Sequence, residues 1–253
     1  MLFIVVDTAD TRGSVAALKK TEVLASQVHS SDEDYSSWLL PAVKRVLQAS
    51  SLTLSELDGY AVCAGPGSFT GLRVGLTTVK AWAEIYDRPI AALSRLEALT
   101  IGASNRVSES SIAASALVAA YPFIAAYIDA RRDQVIAALY RRTKERFELV
   151  GEELVTALPD FIVRVTSETG NEAVRWITPD PSLIESLAEW PALLSSGHVL
   201  EPALPPFTRC LGMLGYRKFI ERDTTDALTL DANYVRRSDA ELFWKGNKSA
   251  FKA

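Results

Sequence analysis

The chain has 253 residues, of which 48% are hydrophobic and 23% charged. This balance excludes disordered, collagen-like and coiled-coil architectures, and a chain of this length buries enough surface to fold without a disulfide or metal staple. Lys+Arg number 27 against 31 Asp+Glu, a formal net charge of −4, so the overall basic footprint of a nucleic-acid binder is missing, although a local basic patch is compatible with that sum.

The N-terminal apolar run, Leu2–Asp7, ends in an acid and lacks a basic region before it. It is too short for a signal peptide and reads as a strand, so a soluble, cytoplasmic protein with no membrane span is expected. Residues 13–18 and 22–28 follow as a hairpin and a third strand. Asp32 is placed to cap a helix running to Ala49, with Trp38, Leu39, Ala42, Val43, Val46 and Leu47 on one face. Residues 58–64 read as a strand, 71–86 as a helix, 89–93 as a strand and 96–103 as a helix. Gly, Ser, Asn and charges gather over 102–111, which marks a boundary. The uncharged stretch 112–128 reads as a buried helix end, a break at Pro122 and a core strand. Residues 123–129 and 134–140 read as adjacent strands, with 147–150 as a third. Between Pro159 and Pro206 the prolines obscure the pattern, and 208–222 reads as the last helix. Strands alternating with helices define an α/β class. Two domains are expected, 1–104 and 105–253, with the last helix and tail returning to the first.

An internal echo supports two related lobes. Phe3-Ile4-Val5-Val6-Asp7 leads through a polar turn to Val15-Ala16-Ala17-Leu18, and Ala125-Ala126-Tyr127-Ile128-Asp129 leads through a turn to Val135-Ile136-Ala137-Ala138-Leu139.

The segment from Gly65 to Leu76, Gly-Pro-Gly-Ser-Phe-Thr-Gly-Leu-Arg-Val-Gly-Leu, follows a strand and opens a helix. Backbone N–H groups at such a helix start can hold an anion, which makes Gly65, Gly67 and Ser68 candidate phosphate contacts. It is neither a Walker A loop nor G-x-G-x-x-G. The alternative reading is structural: Ser68 or Thr70 caps the helix, while Gly71, Gly75 and Thr78 form a smooth face for close packing. Asp7, with Thr8 after it, and Asp129 stand at strand ends where a carboxylate could hold a hydrated cation near phosphate, or simply form an Asx turn. Tyr35, Trp38 and Leu39 serve equally as core or as a partner-binding face. Cys63 and Cys210 have no C-x-x-C spacing and read as reduced, mostly buried thiols. The only histidines, His29 and His198, have no His-x-x-x-His spacing. No metal site is therefore expected, and His29, near Asp32 and Asp34, reads as a surface-loop residue. A serine triad lacks the G-x-S-x-G elbow.

Val5-Val6-Asp7-Thr8-Ala9, the Gly65–Gly75 segment, Ile128-Asp129-Ala130-Arg131-Arg132 and Tyr234-Val235-Arg236-Arg237 together resemble the TsaB (YeaZ) family, once classed as glycoprotease-like. The resemblance implies two related lobes of the actin, sugar-kinase and ribonuclease H-like type, with mixed sheets flanked by helices. It implies a non-catalytic scaffold in the transfer of threonylcarbamoyl to N6 of adenosine 37 of tRNA (t6A formation). Its partners would be a catalytic TsaD subunit, the ATPase TsaE, tRNA through the complex, and a second copy of itself when alone. No cofactor would be firmly bound, with ATP or ADP and Mg at the junction of the complex. The missing His-x-x-x-His pair of TsaD-like subunits implies no catalysis by this chain alone; a free-standing actin-like ATPase or kinase is the alternative. The implied contact surface pairs the first long helix with the glycine-rich helix: Tyr35, Trp38, Leu39, Ala42, Phe69, Gly71, Leu72, Gly75, Leu76 and Val79. Gly75→Leu or Leu76→Glu is then expected to break that contact and leave the monomer folded. Tyr35-Ser36 stands before Leu40-Pro41 where family members commonly have a histidine. The basic tail, Arg236 to Lys252, reads as solvated.

Overall fold

A computed structural model describes residues 1–30, 33–108, 121–143, 146–170, 172–233 and 235. The first lobe is built from β1 (Leu2–Asp7), β2 (Ser14–Lys19), β3 (Glu22–Val28), α1 (Tyr35–Ala49), β4 (Gly59–Gly65), α2 (Phe69–Tyr86), β5 (Ile90–Ser94) and α3 (Arg95–Ser108). Its sheet has the order β3-β2-β1-β4-β5. β1, β2 and β3 pair antiparallel, while β1, β4 and β5 run parallel.

The second lobe comprises β6 (Phe123–Arg131), β7 (Gln134–Arg142), β8 (Phe147–Thr156), α4 (Leu158–Thr169), β9 (Val174–Thr178), α5 (Pro181–Glu185), α6 (Trp190–Ser195) and β10 (Val199–Pro202). Its sheet order, β8-β7-β6-β9-β10, repeats the first strand for strand. The directions repeat too: β6, β7 and β8 are antiparallel, and β6, β9 and β10 parallel. β6 thus takes the place of β1, and Asp129 the place of Asp7. Each aspartate accepts from the backbone N–H two residues on, Asp7 from Ala9 at 3.0 Å and Asp129 from Arg131 at 2.7 Å. These are two mixed sheets flanked by helices, the actin and ribonuclease H-like arrangement.

Helices cover both faces of the first sheet, so β1 is apolar from Leu2 to Val6. Val6 faces Gly75 of α2, while Phe3 faces Gly215 and Phe219 of the last helix, α7 (Thr208–Glu221). β6 divides its residues between two cores by the period-two alternation of a strand. Phe123, Ala125 and Tyr127 pack with Leu158, Phe161 and Val165 of α4 and with Trp176. Ile124, Ala126 and Ile128 belong instead to the core continuous with the first lobe. α3 touches β6, so the first lobe supplies a helix to the second sheet.

Several readings from sequence change. Helix α3 continues to Ser108 through most of the stretch taken for a boundary. Its first turns carry the buried Leu96, Ala98 and Leu99, which hold the helix against its Gly and Asn content. The 159–206 stretch contains three helices and two strands. Pro159, Pro181 and Pro191 start helices there, since a missing N–H costs nothing in the first turn. Strand β8 runs on to Thr156. Asp32, residues 112–120, Tyr234 and the basic tail from Arg236 lie outside the described residues. α1 starts after Asp34, whose side chain makes no capping hydrogen bond.

Phe161 is 1% exposed and meets Trp176 edge-on at 5.8 Å between ring centroids. Phe161→Ala is expected to lower the unfolding free energy by about 3–5 kcal/mol, read as a fall in denaturant midpoint without a change in slope.

Candidate functional site

The turn after β1 and the start of α2 are docked onto each other. The Ser68 N–H donates to the Ala9 carbonyl at 2.7 Å, and the Ser68 hydroxyl accepts from the Gly71 N–H at 3.4 Å. Ser68 is therefore the N-cap of α2. A Cβ on Gly67 would lie 2.7 Å from the Ala9 Cβ. A Cβ on Gly71 would collide with the Thr8 carbonyl, and one on Gly75 with the Thr8 hydroxyl. The glycine stripe at 67, 71 and 75 therefore accommodates this chain's own β1–β2 turn. Thr8 is fully buried, and its hydroxyl has no hydrogen-bond partner among the described residues.

Behind the turn lies a buried charge cluster. The Asp7 carboxylate is 2% exposed and accepts from Ala9 N–H, with the Cys63 thiol beside it. Burial raises its pKa above the usual 3.8, only partly offset by Arg95. Burial also drives the Cys63 thiol well up. Arg95, the first residue of α3, is 3% exposed and pairs with Asp10. Its guanidinium lies 5.0 Å from the ring centroid of Phe207. Burial opposes the charge of Asp10, but Arg95 and the Thr11 N–H outweigh it and hold that carboxyl below its usual value. Sequence reasoning missed Asp10 and Arg95. Their polar context signalled only a turn and a helix start, and they meet across 85 residues of chain.

Tyr35 locks the same turn from outside. Its hydroxyl donates to the Asp10 carbonyl and accepts from the Gly13 N–H at 2.8 Å. His29 stacks on Tyr35 at 4.1 Å. Far from being a surface-loop residue, His29 is 6% exposed, with Nδ1 2.8 Å from the Thr11 carbonyl and Nε2 2.6 Å from that of Glu33. His198 sits in the other lobe and accepts at Nδ1 from Trp176 Nε1 at 3.2 Å, its pKa lowered by burial. Among the described residues no group of three His, Cys, Asp or Glu side chains is placed to hold a metal ion.

Between the lobes lies a cleft of about 360 Å³, lined by Asp10, Gly67, Ser68, Arg95, Asp129 and Arg131 among others. Of the residues proposed for phosphate, Gly67, Ser68 and Asp129 reach it. Asp7 and Thr8 lie buried behind it, and Gly65 is buried. Some of the polar groups at and behind the cleft are bonded within the chain. The Ser68 N–H goes to Ala9, the Asp7 carboxylate to Ala9, and Asp129 to the Arg131 N–H and, at 3.3 Å, to its guanidinium.

Most residues of the expected contact surface face inward. Trp38, Leu39, Ala42, Gly71, Leu72, Gly75, Leu76 and Val79 are all buried within the single chain. They form the inward faces of α1 and α2, because the apolar helical stripe was needed for the sheet. Tyr35 and Phe69 are half-buried on the rim. The outward faces carry Leu40, Pro41, Lys44 and Gln48 on α1, and Arg73, Thr77, Glu84 and Ile85 on α2. Gly75→Leu therefore no longer tests a partner contact, because it strikes Thr8 inside the fold.

Two topologically identical lobes around a polar cleft define an actin-like α/β protein. A family model described as TsaD, tRNA N6-adenosine threonylcarbamoyltransferase, matches residues 22–175. The tRNA threonylcarbamoyladenosine biosynthesis protein TsaB of Bacillus subtilis is 28% identical over 245 residues, 96% of this chain and 98% of that protein. The Escherichia coli TsaB is 27% identical over 211 residues, covering 80% of this chain and 82% of that one. The solved structure of YeaZ from Pseudomonas aeruginosa superposes with a TM-score of 0.70 at 23% identity, over 92% of this chain and 99% of that chain. The chain belongs to the TsaD-related family, as a TsaB (YeaZ) protein.

Two outcomes test the site. Gly75→Ala should cost about 2 kcal/mol or more in unfolding free energy, because its Cβ would stand 2.4 Å from the hydroxyl of the buried Thr8, whereas a mid-helix Gly→Ala in open space would stabilise by about 1 kcal/mol. Asp7→Asn tests the buried carboxyl. The fold favours the neutral acid, so wild-type stability falls as pH rises from below 3.8 through the raised folded pKa. The variant should lack that loss. Its stability relative to wild type should therefore rise between pH 3.5 and 7 in parallel thermal melts. A constant difference across that range would contradict the burial effect.

Proposed function

We propose that this protein is a non-catalytic scaffold subunit in the formation of threonylcarbamoyladenosine in tRNA. It binds a TsaD-type catalytic subunit and supports the joining of a TsaE-type ATPase. The observation that carries this reading is end-to-end similarity to TsaB proteins.

The outward faces of α1 and α2 are the partner surface in this reading. The two helices pack side by side on one face of the first sheet. Together they present Leu40, 58% exposed, and Ile85, 71% exposed, among charged and polar residues. That is the composition of an interface with apolar anchors and a polar rim. The same surface pairs two copies of this chain when the catalytic subunit is absent. ATP or ADP with Mg belongs at the junction with the partner, and tRNA reaches this subunit through the complex. Catalytic activity by this chain alone is not expected, and the cytoplasm is its place of action. Among the described residues no helix is long and apolar enough to cross a membrane.

An omission assay tests the reading. With tRNA, threonylcarbamoyl-adenylate, ATP, TsaD and TsaE supplied, modified adenosine should form only when this protein is added, and none should form with this protein alone. Leu40→Glu combined with Ile85→Glu should weaken the TsaD contact at least about tenfold, roughly 1.4 kcal/mol, with an unchanged melting temperature. Product formation that ignores omission would remove the scaffold role. Undiminished binding by the double variant would move the surface elsewhere.

A further inference from the structure

The last described residues run along the first lobe and end at the interlobe cleft. After α7, Thr225 exchanges two backbone hydrogen bonds with Ile90 of β5, at 2.8 and 2.9 Å. Asp226 then closes a turn by accepting from the N–H groups of Leu228 at 2.9 Å and Thr229 at 2.8 Å. Leu230 is 2% exposed and anchors the segment. The Asn233 N–H donates to the Ala64 carbonyl at 2.7 Å, beside the end of β4. Asn233 and Val235 both line the cleft, together with Gly67, Ser68, Asp129 and Arg131. Gly65 is held at φ +124°, and a Cβ there would stand 2.8 Å from the Asn233 carbonyl oxygen. The close approach of this segment thus requires glycine at that position.

One side chain of the second lobe meets both this segment and the first lobe. Glu153 of β8 accepts from the Asn233 side-chain amide at 2.6 Å and from the Ser94 hydroxyl at the end of β5. The Tyr140 hydroxyl of β7 is a third hydrogen-bond partner. Glu97, also nearby, is paired with Arg217 of α7. Burial raises the pKa of Glu153, so its position costs solvation that only these contacts offset. Each contact comes from a different part of the molecule: the C-terminal segment, the β5–α3 corner and the second sheet.

We infer that residues 225–233 form a strap along the first lobe whose end borders the cleft, and that Glu153 is its latch, fixing at once the strap and the opening between the two lobes. Release at Glu153 frees both the strap and the opening between the lobes. The device belongs to the single chain and does not depend on any partner.

The full chain alone serves for the test. Amide exchange is followed over 225–233, over 64–68 and over β9, and spin labels at Ser37 and Val163 report the distance between lobes. Asn233→Ala and Glu153→Ala should each speed exchange in 225–233 and 64–68 by about tenfold or more, leave β9 unchanged, and broaden the interlobe distance distribution. Glu153→Gln should behave as wild type, because its carbonyl still accepts from Asn233 while its amide donates to the Ser94 hydroxyl. Unchanged strap exchange in either alanine variant would overturn the latch. So would equal acceleration in β9, which signals loss of global stability, or a glutamine variant as loose as the alanine one.

Discussion

The contact on which the rest depends is the seating of the β1–β2 turn against the first turns of α2. A side chain at 67 or 71 would collide with the Ala9 or Thr8 backbone, and one at 75 would press on the Thr8 hydroxyl. With the turn seated, Ser68 can cap α2 and donate to Ala9, Asp7 can bond to Ala9, and Asp10 reaches Arg95. Tyr35 then closes the turn from the α1 side. One close approach thus fixes two helices, a strand end and the root of α3.

The same geometry explains the character of the cleft. A hairpin turn and a helix start are the parts from which an anion site is made. Here they are satisfied against each other, and the buried Arg95 is neutralised by Asp10 with Asp7 close by. What remains is a polar groove between the lobes.

The lobes are linked by more than the chain that joins them. The alternation of β6 sends Ile124, Ala126 and Ile128 into the first lobe's core, and Phe123, Ala125 and Tyr127 onto α4. Helix α7 returns to the first sheet after the second lobe is complete, and Gly215 lies against Ala61 and Phe3 there. Opening of the cleft is therefore resisted by apolar packing at α3 and by the polar contacts of Glu153 at the rim.

Most of the strands and long helices were legible in the sequence, because period-two and period-3.6 patterns are local. The Asp7 and Asp129 echo was legible too, and with it the two-lobed, actin-like frame. Periodicity alone could not say which side of an apolar stripe meets what. Trp38, Leu72 and Val79 suit a sheet of the same chain as well as a partner, and only the tertiary structure turned them inward. The prolines of 159–206 looked like breakers because their role depends on standing in a first turn. Asp10 with Arg95, and Glu153 with Ser94 and Asn233, were invisible for the opposite reason. Each is an ordinary polar residue until the fold brings together segments dozens of residues apart and removes the water between them.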